Sequence, residues 1–144
     1  MEYKNLNEIN ASDFSLDILQ SENPVVIRGI VSDWPIVKKS AGAIEKICEY
    51  LLYFYESDRI IAFASKPEKG NKFTYGNNQN QMSFEQLEST LDLVLETISE
   101  SQKINNPGTI YMGSTTLDYV LPGFDQDNNF FIGDVNPLKS IWVG

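Results

Sequence analysis

The chain has 144 residues, 42% hydrophobic and 22% charged, and its eleven basic against twenty acidic residues give a formal net charge of −9. That is enough apolar material for one domain with a core and too little length for two, while so acidic a surface repels phosphate backbones and argues against a nucleic-acid partner. Histidine is absent and Cys48 is the single cysteine, which excludes a 2-His-1-carboxylate iron site, a serine triad, a histidine or thiolate zinc site and an internal disulfide built from these residues by themselves.

No apolar run approaches membrane-spanning length and the first residues carry no signal core, so the chain reads as a cytoplasmic one with no membrane contact. A lone thiol suits a reducing compartment. Cys48 falls in an apolar helical pattern with no histidine to activate it, and reads as a core thiol.

Residues 1–11 are polar and are expected to form an arm. Ser12 is placed to cap a short helix in which Phe14, Ile18 and Leu19 share a face. The run Pro24-Val25-Val26-Ile27-Arg28-Gly29 then reads as a buried strand, because β-branched side chains pack well on a pleated surface and Pro fits a strand's first position. Burying one such side chain contributes roughly 1.5–3 kcal/mol, enough for the cluster that includes Ile30 and Val31 to anchor a domain. Ser32-Asp33 turns the chain, and Trp34-Pro35 opens a new element with Pro suited to a first helical turn.

Ser40 is expected to cap a helix over residues 41–55, with Ile44, Ile47, Cys48, Leu51, Leu52 and Tyr55 on its apolar stripe. Residues 58–66 alternate like a strand, with Ile61 and Phe63 on one face. A turn over residues 67–71 then leads to Phe73 and Tyr75, which the pattern makes the second arm of a hairpin. An amide-rich polar loop covers residues 77–81. Ser83 and Gln86 make a capping box for a helix over residues 83–101, whose buried stripe is Phe84, Leu87, Leu91, Val94, Leu95 and Ile98. Glu85, Glu88, Asp92, Glu96 and Glu100 form its solvated outer face, diverging to water rather than converging on a metal.

Asn105-Asn106-Pro107-Gly108 is a turn, residues 109–113 a strand, and Ser114 a cap for a short helix over residues 115–120 that ends at Leu121-Pro122-Gly123-Phe124. Residues 125–129 imitate the start of a calcium loop, but Phe130 stands where the turn glycine belongs and Asn136 where the bidentate glutamate belongs. They read as a polar loop. Residues 138–144 look like a last strand. There is no internal repeat and no boundary that would divide residues 1–144 into more than one region. Helices feeding strands in this order place the chain in the α/β (α+β) class.

Two blocks carry a resemblance. The strand and Asp33-Trp34-Pro35 turn of residues 24–35 resemble the opening of the cupin-like JmjC-type oxygenases. The order Tyr111-Met112-Gly113, a short helix, Leu121-Pro122-Gly123 and Ile141-Trp142-Val143-Gly144 is similar to the segment preceding the iron site in the same family. Those enzymes are Fe(II)- and 2-oxoglutarate-dependent hydroxylases on a double-stranded β-helix (cupin, or jelly roll). The resemblance implies that Tyr111 hydrogen-bonds the far carboxylate of 2-oxoglutarate, a task for which a neutral phenolic donor on a rigid ring is suited. It implies that Trp142 lines the same pocket against substrate, and that Arg28 and Trp34 belong to the motif's structural part. A barrel tyrosine that only packs, and a tryptophan that is plain core, are the bland alternatives.

In that family the HxD pair, the distal histidine and the cation completing the 2-oxoglutarate site come later than this stretch. The resemblance therefore implies an N-terminal portion with an incomplete barrel and no catalytic residue or metal ligand of its own. Fe(II) and 2-oxoglutarate would be cofactors of the complete enzyme and are not expected to bind these residues by themselves. About five strand candidates are too few to close a barrel. The last strand would expose an apolar edge, which points to homodimerisation or to completion by the rest of the barrel. The acidic surface leans toward a basic protein substrate. A second reading is a non-enzymatic interaction module, or pseudoenzyme, using the acidic surface and the sheet edge. A carboxylate-based metal hydrolase ranks last, since the acids do not cluster.

Overall fold

A computed structural model describes residues 7–56, 59–69, 72–74, 82–130, 132–134 and 136–144. Residues 1–6 of the expected arm, residues 70–71 of the turn, Tyr75, the amide-rich loop at 77–81 and Phe131 lie outside the described residues. Helix and strand are mixed, two sheets form, and no barrel closes among the described residues, in keeping with the α+β expectation.

Strand β1 (Asn7–Asn10) pairs in parallel with β2 (Val25–Arg28), Ile9 opposite Ile27. The polar stretch expected as an arm is thus a strand from Asn7 onward. Between the two lie short 3-10 turns at Ala11–Asp13 and Leu16–Gln20 in place of the expected helix, and the Ser12 hydroxyl donates to Asp13 instead of capping a backbone amide. The strand itself forms as read and ends at Gly29, whose φ of +80° favours a residue without Cβ. Its depth does not: Val25, Val26 and Ile27 are half-buried and none belongs to the core. A two-stranded sheet with few layers over it cannot cover both faces.

Helix α1 (Pro35–Ser40) starts with Pro at its first turn, as the sequence suggests. Ser40 closes this helix rather than capping the next. Its hydroxyl donates to the Val37 carbonyl oxygen, and Ala41 (φ 47°) and Gly42 (φ 81°) break the chain before α2 (Ile44–Phe54).

The main sheet has the order β4-β3-β5-β6, antiparallel throughout, from β3 (Ile60–Ser65), β4 (Phe84–Ser89), β5 (Thr109–Thr116) and β6 (Ser140–Val143). The expected 83–101 helix is therefore two elements, β4 and α3 (Leu91–Ser101), separated by an extended Thr90. Pairing with β3 overrides the helix-favouring Glu, Gln and Leu residues of the first half. Ser83 caps nothing: its hydroxyl accepts from the Thr74 N–H and donates to the Lys72 carbonyl. The hairpin partner of β3 is likewise β4, not the segment around Phe73.

Strand β5 runs through Ser114 to Thr116, so α4 is only Leu117–Val120. The expected polar loop at 125–129 is largely α5 (Phe124–Asp127), followed by a buried Asn128. Asn128 is 4% exposed. It accepts from the Ile36 N–H at 3.1 Å and donates to the Tyr50 hydroxyl at 3.1 Å and the Phe124 carbonyl at 3.0 Å. It thereby satisfies the open start of α1 from 92 residues away in sequence.

Helices α2, α3, α4 and α5 pack on one side of the main sheet. Ala62 and Met112 from the sheet meet Leu91 and Val94 of α3, Val120 of α4 and the adjoining Leu121, all at 0% exposure. Cys48 packs against this cluster, where burial, and Glu45 after it, push its thiol up from its ordinary value; the core-thiol reading stands.

Candidate functional site

Side chains alternate along a strand, so the residues flanking Ala62 and Met112 face away from the helices. On this open face the pair Phe63 and Tyr111 sits in register across β3 and β5. Their rings stack with centroids 5.1 Å apart and an interplanar angle of 21°. Phe73 meets Tyr111 edge-on at 4.7 Å, and Phe84 of β4 closes the group against Phe63 at 5.7 Å and Phe73 at 5.4 Å. Offset and edge-to-face contacts of this kind each contribute about 0.5–1.5 kcal/mol beyond area burial, so the Tyr111 ring is held in orientation.

Gly113 makes room for this arrangement. A Cβ on it would come within 2.6 Å of the Phe63 ring. On the next strand Ile141 and Val143 pack against the core, which sends Trp142 between them to the open face, where it is 61% exposed. Tyr111 and Trp142, the two residues singled out in the sequence, thus share one face of adjacent strands. They differ in setting: Tyr111 is half-buried among rings, and Trp142 stands in solvent at the sheet margin, since β6 is an edge strand.

Phe63, Phe73, Phe84 and Gly113 complete this face and were not singled out as site residues. The alternation of residues 58–66 sets Phe63 apart, but Phe84 falls at helical spacing with Leu87 and Leu91, and nothing in the local pattern marks Gly113. Arg28 pairs with Glu8 at 2.7 Å across the small sheet, and the Trp34 indole N–H donates to the Asn129 carbonyl at 2.9 Å.

Iron does not fit the residues present. The chain has no histidine, and among the described residues no group of three or more His, Cys, Asp or Glu side chains could hold a metal ion. The calcium-like stretch is engaged otherwise, Asp125 pairing with Lys139 and Asp127 accepting from the Tyr50 hydroxyl. Burial first, with Asp127 adding to it against the Asn128 hydrogen bond, raises the Tyr50 phenol above its ordinary value and keeps it a neutral donor. Glu85 and Glu88 lie on β4 and Asp92, Glu96 and Glu100 on α3, all exposed. No described helix is long and apolar enough to cross a membrane.

A family model described as a cupin-like domain matches residues 11–144. No curated protein and no solved structure matches the chain.

Proposed function

The chain belongs to the cupin-like domain family, and from that membership we propose that these residues form the scaffold and one wall of an Fe(II)- and 2-oxoglutarate-dependent hydroxylase pocket. The iron ligands come from outside residues 1–144, so this stretch carries no step of the reaction. Its part is to bind and orient. Tyr111 offers its phenolic proton to the far carboxylate of 2-oxoglutarate, and Trp142 lines the substrate side. The observation that carries this reading is the open aromatic face: Tyr111 is clamped by Phe63 and Phe73 on the side of the sheet the helices leave uncovered. A basic protein substrate fits the net charge of −9.

The test is calorimetric titration of Mn(II) with 2-oxoglutarate into residues 1–144 and into a chain extended toward the C-terminus. Binding to the longer chain only supports the proposal. Binding to neither, with the longer chain folded, overturns it.

A second reading, an interaction module or pseudoenzyme, is favoured by the edge position of β6 and its exposed Trp142. It has residues 1–144 self-associating through that edge, or pairing with the rest of the barrel. A concentration-independent monomer in sedimentation velocity counts against self-association.

A further inference from the structure

On the core side of β6, away from the Tyr111 face, a cavity of about 440 Å³ opens between α1, α4, α5 and the start of β6. Trp34, Ile36, Leu117, Phe124, Phe130 and Ile141 supply apolar wall. Ligand pockets are of this size and kind, about 300–1,000 Å³ and mostly apolar with a few placed polar groups. Two features make the walls firm. Asn128 clamps Ile36, Tyr50 and Phe124 together. The Trp34 indole is held by the Asn129 carbonyl, which fixes the ring at the rim.

The charge of the cavity narrows the ligand. Its two ionised side chains, Lys139 and Asp125, pair with each other, with side chains 37% and 26% exposed. A bound anion would meet Asp125 and a bound cation Lys139, each at the cost of the pair. The other polar residues along the wall, Asn128, Asn129 and Ser140, are neutral. We propose that this cavity binds a small neutral molecule with an apolar body and one hydrogen-bonding end. This site stands apart from the proposed oxygenase pocket and does not depend on it.

The chain has two tryptophans, so Trp142→Phe leaves Trp34, at the cavity rim, as the only indole reporter. Bromobenzene, a heavy-atom quencher, is titrated into this variant with and without cyclohexanol. The expected result is saturable quenching of Trp34, half-complete near or below about 1 mM, and relieved by cyclohexanol as a competitor. Ile36→Phe, which adds bulk on the wall, should weaken quenching at least fivefold. If that variant does not fold, the cyclohexanol competition decides by itself. Quenching that rises linearly with bromobenzene and ignores cyclohexanol overturns the proposal. So does quenching that disappears as protein concentration rises, which would mean that a second copy fills the cavity.

Discussion

The two faces of the main sheet are built from alternate residues of the same strands, yet they are different materials. The helix side is a finished core: Ala62, Met112, Leu91, Val94, Val120 and Leu121 have no exposure at all. The other side carries Phe63, Tyr111 and Phe84, then opens to an exposed Ile61 and Trp142 at its margins. One face is spent on stability, and the other keeps rigid rings accessible. Substitutions of similar size should therefore have unequal effects on the two sides.

The largest effect belongs to the helix side. Leu121→Ala should destabilise by about 2–5 kcal/mol, read from the midpoint of urea unfolding, because a fully buried side chain leaves a cavity its neighbours cannot fill. A loss below 1 kcal/mol would show that this face is not the anchor. Next is Asn128→Ala, which strands the Ile36 N–H, leaves the Tyr50 hydroxyl only its donation to Asp127, and should cost about 1–3 kcal/mol. Asn128→Asp keeps the acceptor for Ile36 but loses the donor to Tyr50 and buries a charge, so it should not rescue.

On the open face, Gly113→Val forces the Phe63 ring aside and should cost about 1–3 kcal/mol through overpacking. The same variant should shift the Tyr111 ring resonances in NMR, which a substitution confined to the helix side would not do. Trp142→Ala should change stability by less than about 0.5 kcal/mol, as expected of an exposed residue. An unfolded product would mean that Trp142 is packed after all.

The smallest effect lies in the small sheet. The hydrogen bond from Arg28, then its charge, holds the Glu8 carboxyl below its ordinary value of 4.5. A lowered folded value stabilises above the unfolded value and is lost as pH falls through the folded one, so the pair's contribution is present at neutral pH and disappears in acid. Both groups are exposed, and salt should erase most of the shift. An NMR titration of Glu8 in Arg28→Gln should return it to the ordinary value; an unmoved titration would assign the shift to something else.

How much of this was legible in the sequence depends on whether local chemistry or distant pairing decides a residue's state. Pro35 marked the start of α1, and the alternation of residues 60–65 marked β3, because each signal is local. Residues 84–89 read as helix since Phe84, Leu87 and Leu91 have helical spacing, but the six-residue register with β3 outweighs that spacing. Val25, Val26 and Ile27 read as core because β-branched runs usually are; what covers them is a tertiary matter no local pattern contains. Asn128 looked like loop and is a buried clamp, since its partners lie 78 and 92 residues away. For the site, Tyr111 and Trp142 could be named, and alternation suffices to put each on a face. The two rings that clamp Tyr111, Phe63 and Phe73, and Phe84 behind them come from three separate segments and could not be assembled from spacing.

The most direct measurement is the 2-oxoglutarate dissociation constant of Tyr111→Phe in a chain extended to include metal ligands, with Mn(II) present. A phenol that donates to the far carboxylate is a hydrogen bond to a charged group, so its loss should weaken binding about 10–100-fold while the fold stays intact. An unchanged dissociation constant would make Tyr111 a packing residue and contradict the pocket reading of this face.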